Sequence, residues 1–264
     1  MLRGERMLII SERLNGLFRS VGKAIDRRDE EFIQRLALEQ VEAGSDALDV
    51  NTGPGREDAP RVMEWLVNTI QEVTDVRLSI DSPDPDVIEA GLKVVKNKPI
   101  INSTTAEKKK MSRLFPLANE YDADIICLTM DEKGVPNDAE SRAELAMVML
   151  TTGMEHGLEP DRIYLDPLIL PISASQDQGP KVLQALTMFR SLMDPPPKTV
   201  VGLSNISNGA KERSLLNRAY LAMLMAHGLD AAILDPTDKE LIKILKSCQI
   251  LLNQKLYAHD YLRA

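Results

Sequence analysis

Short, almost wholly apolar runs alternate along this chain with longer segments in which apolar residues recur every three or four positions. The runs predict β-strands at residues 7–10, 47–50, 77–80, 99–101, 124–129, 163–166, 199–203 and 231–234. Runs without polar alternation are typical of strands that are covered on both faces, as parallel strands are. Eight strand–helix units without a linker predict one α/β domain over residues 1–264. We expect a TIM (β/α)8 barrel in preference to a doubly wound open sheet.

The amphipathic segments predict the helices that cover the barrel. They lie at residues 30–44, 60–73, 86–96, 111–121, 140–157, 180–193, 214–228 and 239–253. Several of these segments end in a glycine that suits a left-handed cap, namely Gly44, Gly157 and Gly228. The three lysines at 108–110 are interpreted as a solvated helix start.

The composition is that of a globular protein with an acidic balance: 264 residues, 44% hydrophobic, 27% charged and a net charge of -8. This balance disfavours nucleic acid and anionic membrane surfaces as partners, because both call for clustered Lys and Arg. Cys127 and Cys248 lie in apolar patterns and are interpreted as buried thiols. Since no apolar stretch approaches the ~20 residues of a membrane helix and no signal peptide is evident, we predict a cytoplasmic protein.

Polar residues cluster where the predicted strands end, which is where a parallel barrel builds its active site. The carboxylates in these positions are Glu12, Asp49, Asp81, Asp166 and Asp235. The amides are Asn15, Asn51, Asn102, Asn205 and Asn208. Carboxylates accept hydrogen bonds and amides both accept and donate them, so together they suit a neutral heterocycle with alternating donors and acceptors.

Several reaction types are disfavoured by the residues that the chain lacks. No lysine ends a strand, as a Schiff base would require, and GxSxG, GxGxxG and P-loop patterns do not occur. The histidines fall at predicted helix ends or in the tail, at His156, His227 and His259. We therefore predict no bound metal and no proton-shuttling histidine.

Seven motifs carry a family resemblance: MLIISERLNG, LDVNTGPG, LSIDS, PIINSTTAE, IYLDPLILP, KTVVGLSNISNG and GLDAAILDP. With these motifs, in this order from Met7 to about Tyr257, the chain resembles the methyltetrahydrofolate:corrinoid/iron-sulfur protein methyltransferases of the acetyl-CoA pathway. The resemblance implies a homodimeric pterin-binding barrel that passes a methyl group between nitrogen-5 of 5-methyltetrahydrofolate and a cob(I)amide cobalt. It also implies that the corrinoid (cobalamin) is carried by a separate protein, such as a corrinoid iron-sulfur protein, and that tetrahydrofolate is the small-molecule partner.

The resemblance also assigns roles to residues in the matching motifs. Asp81, Asn102 and Asp166 would hold the pterin ring, and Asn205 would be the catalytic residue, hydrogen-bonded near nitrogen-5. The remaining substrate-binding residues that it implies are Glu12, Asn15, Asp49, Asn51, Gly202, Ser204 and Asn208. Asn208 is a departure, because the family pattern has Gln there, and its contact would be shorter by one methylene.

Three other functions stay open. A tetrahydrofolate methyltransferase of a demethylase system, which takes the methyl group from a methyl-corrinoid protein, would use the same residues. Dihydropteroate synthase shares the NTGPGRED pattern, but its chemistry calls for a basic residue and a phosphate-binding Arg or His near the ends of strands seven and eight, and we expect neither there. A non-catalytic folate-binding subunit would have no need of Asn205 at the reacting nitrogen.

Overall fold

The computed structural model describes residues 6–255, and its eight strands form one closed parallel barrel in chain order. The strands are β1 (Leu8–Asn15), β2 (Ala47–Asn51), β3 (Arg77–Asp81), β4 (Ile100–Thr105), β5 (Asp124–Leu128), β6 (Ile163–Asp166), β7 (Lys198–Gly202) and β8 (Ala231–Leu234). The pairing of β1 with β8 closes the ring. The predicted barrel is therefore confirmed.

Helices surround the barrel on the outside. They are α1 (Arg19–Arg27), α2 (Glu30–Glu42), α3 (Ala59–Gln71), α4 (Pro85–Val94), α5 (Lys108–Glu120), α6 (Ala139–Glu155), α7 (Gln178–Phe189), α8 (Arg213–Ala226) and α9 (Lys239–Leu251). Short 3-10 helices also lie at Pro160–Arg162 and Leu203–Ser207. Within residues 6–255, no helix is both long and apolar enough to cross a membrane.

Two strands extend several residues beyond their predicted apolar runs, whereas β2 and β3 extend by one residue. β1 continues through the polar residues to Asn15, and β4 continues to Thr105. Each strand has a register shift in its polar part, between Ser11 and Leu14 in β1 and between Asn102 and Thr104 in β4. Parallel pairing with the neighbouring strands keeps these polar residues in the sheet. The register shifts change the direction of side chains next to the barrel mouth.

Helix α1 was not predicted, although its buried residues Val21, Ala24 and Ile25 have helical spacing. Nine residues with only three buried apolar positions give a weak signal. Gly22 lies inside the helix where a Cβ would come within 2.9 Å of the Gly16 carbonyl oxygen. Position 22 is therefore a glycine because α1 passes close to the end of β1, although a glycine weakens the helical pattern in the sequence.

The predicted helix ends and thiols are largely confirmed. Gly44, Gly157 and Gly228 have positive φ values of 99°, 84° and 90°. Cys127 is a buried thiol, whereas Cys248 is only partly buried. His156 and His227 end α6 and α8, and His259 lies outside the described residues.

An apolar layer fills the barrel interior below its mouth. It consists of Ile10, Ala47, Ile100, Ile126, Tyr164, Val200 and Ala231, one residue from each strand except β3. The alternate residues of the same strands, such as Leu48, Ile101 and Leu165, join the core between barrel and helices. Because strand side chains alternate between the two faces, the next inward positions towards the carboxyl ends are fixed as well.

Candidate functional site

The inward positions above the apolar layer are polar. We call this set the inner layer: Asp49 and Asn51 on β2, Asp81 on β3, Asn102 on β4 and Asp166 on β6. Asp49 and Asn51 follow the inward Ala47 at intervals of two, as Asn102 follows Ile100 and Asp166 follows Tyr164. The register pairs Asn51 with Asp81 and Asp81 with Asn102 across neighbouring strands. These residues therefore meet at one barrel mouth, as the sequence predicted.

Asp49 lies beneath the other groups and orients one of them. Its Oδ1 accepts hydrogen bonds from Ser79 Oγ at 2.6 Å and from Asn102 Nδ2 at 2.9 Å, and only 4% of the residue is exposed. Burial raises the pKa of Asp49 well above its usual range, and the nearby Asp81 raises it further. Because the side-chain N–H of Asn102 donates to Asp49, the orientation of the Asn102 amide is fixed and its side-chain oxygen is available to a ligand.

Asp81 is held from the neighbouring strand. Asn51 Nδ2 donates to Asp81 Oδ2 at 2.7 Å, while Asn51 Oδ1 accepts from the backbone N–H of Gly53 at 2.7 Å. Burial raises the pKa of Asp81, and the Asn51 hydrogen bond opposes that rise. Asn51 thus serves to position Asp81.

Asp166 is the most isolated carboxylate of the inner layer. It is 5% exposed, and its Oδ1 accepts the backbone N–H of Leu168 at 2.7 Å. Leu168 has a φ of 64°, a conformation that costs free energy for a leucine, and this hydrogen bond helps to offset it. Burial raises the pKa of Asp166 to about 7. The carboxyl group therefore titrates near neutral pH.

A second group lines a cleft of about 880 Å³ beside the inner layer. The predicted site residues in this cleft are Glu12, Asn15, Ser204, Asn205 and Asn208. Ser204 Oγ donates to Glu12 Oε1 at 2.6 Å, which ties β1 to the segment after β7. Burial raises the pKa of Glu12, and this hydrogen bond opposes the rise. Asn15 Oδ1 accepts the Leu17 N–H at 2.9 Å, so Asn15 stabilises the turn into α1.

Asn205 is exposed on the 3-10 helix Leu203–Ser207, and within residues 6–255 its side-chain amide has no hydrogen-bond partner. A Cβ on Gly202 would lie 2.9 Å from Asn205 Nδ2, so glycine leaves room for this amide. The backbone of the segment is fixed by the loop after β6, because Ile172 N donates to Ile206 O at 3.1 Å. The amide is therefore open to a ligand on a restrained backbone.

Arg213 is a cleft residue that the sequence reasoning missed. Its Nη2 donates to Asn208 Oδ1 at 3.0 Å and its Nε donates to Ser207 Oγ at 3.2 Å. Arg13 also reaches the mouth, where it pairs with Asp235 at 3.4 Å. The expectation that no basic residue lies near the ends of strands seven and eight is thus wrong. The first turn of a helix after a strand end was the signal that could have identified Arg213.

The sequence from residue 19 to residue 235 matches the model of a family described as pterin binding enzymes. The chain belongs to the pterin-binding enzyme family. It is 33% identical over 98% of its length to a methylcorrinoid:tetrahydrofolate methyltransferase of Eubacterium limosum, of which it covers 96%. It is also 26% identical, over 96% of its length, to a methionine synthase of Mycobacterium tuberculosis, but it spans only 22% of that protein.

Among solved structures, dihydropteroate synthase from Thermus thermophilus has a similar fold. The TM-score is 0.66, and the match covers 97% of this chain and 96% of the other at 17% identity. The structural similarity establishes a shared barrel fold. Sequence identity this low carries no information about the reaction.

The buried Asp166 predicts an unusual pH dependence of stability. Its pKa of about 7 in the folded protein exceeds the ordinary 3.8. The folded state is stabilised when this carboxyl group is protonated. That contribution to the free energy of unfolding is therefore fully present below about pH 4 and is lost as the pH rises through about 7. We expect Asp166→Asn, which cannot ionise, to gain stability over the native protein across this range, by up to about 4 kcal/mol.

Urea unfolding of the ligand-free proteins at several pH values measures this gain. Asp161→Asn is the matched control, since that carboxylate is exposed. A difference between Asp166→Asn and the native protein that does not change with pH would contradict the prediction.

Proposed function

We propose that this protein is a methyltransferase that moves a methyl group between nitrogen-5 of tetrahydrofolate and the cobalt of a corrinoid carried by another protein. The proposal rests on two features of the barrel mouth. One is the buried layer of carboxylates and amides, and the other is the exposed amide of Asn205, which has no hydrogen-bond partner within residues 6–255. Family membership and the relative from Eubacterium limosum support it. The partner that the sequence resemblance suggests is a corrinoid iron-sulfur protein or an equivalent corrinoid carrier.

The inner layer suits the pterin ring. Pterin presents ring N–H and amino donors, which carboxylates accept, and ring nitrogens and a carbonyl, which accept in turn. We assign Asp81 and Asp166 as acceptors for the donors and Asn102 as the group that faces the same ring edge. Asp49 and Asn51 hold Asn102 and Asp81 by the hydrogen bonds already described.

Asn205 is assigned to the reacting nitrogen. In one direction the cobalt(I) electron pair attacks the methyl carbon, the electron pair of the broken carbon–nitrogen bond stays on nitrogen-5, and nitrogen-5 takes up a proton from solvent. In the other direction the nitrogen-5 lone pair attacks the methyl carbon, the cobalt–carbon electron pair returns to cobalt, and nitrogen-5 releases its proton to solvent. The charge on nitrogen-5 changes in both cases, so a hydrogen bond from Asn205 that is stronger in the transition state raises the rate.

This chemistry needs no nucleophile from the barrel. The corrinoid supplies it, and the protein contributes binding, orientation and electrostatics. The same residues serve both directions, since a catalyst accelerates a reaction and its reverse equally. The printed name of the Eubacterium limosum relative gives the direction from methylcorrinoid to tetrahydrofolate, which is the demethylase alternative.

Helix α1 supplies a surface on which a corrinoid carrier can dock. Arg19, Lys23 and Arg27 are spaced four residues apart on its exposed face, and none forms an ion pair with a residue in the range 6–255. Leu17 and Phe18, which are 70% and 48% exposed, precede the helix and line the cleft. An apolar centre flanked by cations suits an acidic protein surface.

We also propose a cytoplasmic homodimer, as the family resemblance implies. Exposed apolar side chains support this on two helices. Leu215 and Met223 lie on α8 and are 63% and 49% exposed, and Val148 and Met154 lie on α6 and are 49% and 43% exposed. Exposed apolar side chains on outer helices are features that a subunit interface would bury.

The proposed activity is tested by mixing the protein with 5-methyltetrahydrofolate and free cob(I)alamin. Methylcobalamin should form, and the reverse mixture of methylcobalamin and tetrahydrofolate should lose it, both followed by absorbance. A protein that binds tetrahydrofolate but leaves both spectra unchanged would be a folate-binding subunit, and the proposal would be wrong.

The role of Asn205 predicts a selective loss of rate. Asn205→Ala should lower single-turnover methyl transfer by at least about tenfold, because a hydrogen bond that strengthens in the transition state is lost. Tetrahydrofolate affinity should fall by less. Asn68→Ala, on the exposed face of α3, is the control. An unchanged single-turnover rate in Asn205→Ala would remove this residue from the mechanism.

If a corrinoid carrier docks on α1, changes to this surface should slow methyl transfer with a carrier-bound corrinoid and not with free cobalamin. The triple variant Arg19→Glu, Lys23→Glu and Arg27→Glu should slow transfer with a carrier protein about tenfold at low salt, and added salt should narrow the gap. Transfer with free cobalamin should not change. The control reverses three exposed lysines away from α1, Lys96, Lys246 and Lys255. Equal slowing in the two triple variants would argue against docking on α1.

A further inference from the structure

Three arginines line the cleft of about 880 Å³, and one of them has no acidic partner. Arg218 pairs with Asp238, with 2.6 Å between Nη2 and Oδ1. Arg13 pairs with Asp235, with 3.4 Å between Nη1 and Oδ2. Arg213 donates to neutral oxygens and forms no ion pair with a residue in the range 6–255. The cleft therefore holds one guanidinium that the described residues leave without a counter-ion.

Arg213 is nevertheless held by the segment that carries Asn205. Its Nε donates to Ser207 Oγ at 3.2 Å, and its Nη2 donates to Asn208 Oδ1 at 3.0 Å and to Ser204 O at 3.5 Å. Because these oxygens are neutral, they orient the guanidinium without neutralising its charge. Among the described residues, its Nη1 has no hydrogen-bond partner, and the residue is exposed in the cleft. Arg213 thus presents oriented N–H donors to an anion in the cleft.

Glu12 is the acidic group of the cleft that acts on Arg213 without a direct contact. Its Oε1 accepts a hydrogen bond from Ser204 Oγ at 2.6 Å, so the carboxylate is held by this hydroxyl group. Burial raises the pKa of Glu12, and the charge of Arg213 opposes that rise. A carboxylate that already has a partner and resists ionisation leaves the guanidinium open to an anion from solution.

The proposed function gives the starting point of the substrate side chain. In tetrahydrofolate this chain is attached at carbon-6, which is bonded directly to nitrogen-5. It consists of a methylene group, an aminobenzoyl ring and a glutamate, whose carboxyl groups are ionised at neutral pH. Asn205 is assigned to nitrogen-5 and also lines the cleft, so the side chain begins beside the cleft wall.

The cleft has a polar part and an apolar part that match the two ends of this side chain. Its residues from α2 are the apolar Phe32 and Leu36. Its residues from α8 are all polar, namely Arg213, Ser214, Asn217 and Arg218. An aromatic ring packs against apolar side chains, and a carboxylate pairs with a guanidinium.

We propose that Arg213 is a specificity-determining residue, which binds a carboxylate of the glutamyl side chain and makes the protein selective for pterins that carry an acidic side chain. The proposal rests on the proposed function, because it places nitrogen-5 at Asn205. Guanidinium and carboxylate form charge-assisted hydrogen bonds, and Nη1 supplies the donors. Asn208, which accepts from Nη2, then positions Arg213 and does not touch the pterin ring.

The test compares two ligands that share the reduced pterin ring. One is 5-methyltetrahydrofolate, and the other is 5,6-dimethyltetrahydropterin, which has a methyl group in place of the acidic side chain. Calorimetry measures the affinity of the native protein and of Arg213→Gln for each. We expect Arg213→Gln to bind the folate at least about fivefold more weakly, because a charge-assisted hydrogen bond at an exposed site is lost. Affinity for the dimethylpterin should change by less than about twofold, since that ligand has no carboxylate.

Three further variants separate charge from packing. Arg213→Lys keeps the charge and should weaken folate binding less than Arg213→Gln does. Asn208→Ala should weaken folate binding in part and leave the dimethylpterin unaffected, because it removes one support of the guanidinium. Arg61→Gln is the matched control, since Arg61 is exposed on α3 and does not line the cleft. It should leave both affinities unchanged.

Equal weakening of both ligands in Arg213→Gln would overturn the proposal, because Arg213 would then support the segment around Asn205 and not bind the side chain. Unchanged folate affinity in Arg213→Gln would overturn it as well. Arg213→Met gives the same comparison if the glutamine variant does not fold. Failure of the proposed function is distinguished by the native protein, which would then show no methyl transfer between 5-methyltetrahydrofolate and free cobalamin, whatever the ratio of the two affinities.

Discussion

Burial of carboxylates inside the barrel mouth is the constraint on which the site depends. Alternation along parallel strands sends every second side chain inward, and the upper inward positions here are Asp49, Asp81 and Asp166 rather than valine or leucine. Each carboxylate loses hydration, and burial accordingly raises the pKa of all three. The apolar layer below keeps water out and prevents these groups from being solvated from beneath.

The surrounding polar groups compensate for this loss only in part. Ser79 and Asn102 bond to Asp49, and Asn51 bonds to Asp81, so these two carboxylates are supported by side chains of neighbouring strands. Asp166 accepts one backbone N–H, that of Leu168. A ligand that presents N–H donors to Asp166 would supply the missing hydrogen bonds, which is why an incompletely satisfied carboxylate is suited to recognise a pterin edge.

Much of this architecture was predictable from the sequence, because buried parallel strands have an apolar signal and barrel sites lie at their carboxyl ends. The inward convergence of Asp81, Asn102 and Asp166 followed from that rule. The same signal did not predict the polar ends of β1 and β4 or the short helix α1. Pairing with neighbouring strands stabilises the two strand ends, and packing against the barrel stabilises α1, so apolar periodicity is weak in all three. Arg213 was missed for a related reason. Its significance lies in its place in the cleft beside Asn208, and linear spacing does not encode that.

The central claim is that the inner layer holds the pterin ring with nitrogen-5 at Asn205. A crystal structure of the protein with 5-methyltetrahydrofolate measures this most directly. We predict that the pterin edge lies within hydrogen-bond distance of Asp81, Asn102 and Asp166, with the Asn205 amide at nitrogen-5 and the methyl group facing the open mouth. A pterin ring bound elsewhere, or bound in the mouth with nitrogen-5 turned away from Asn205, would contradict it.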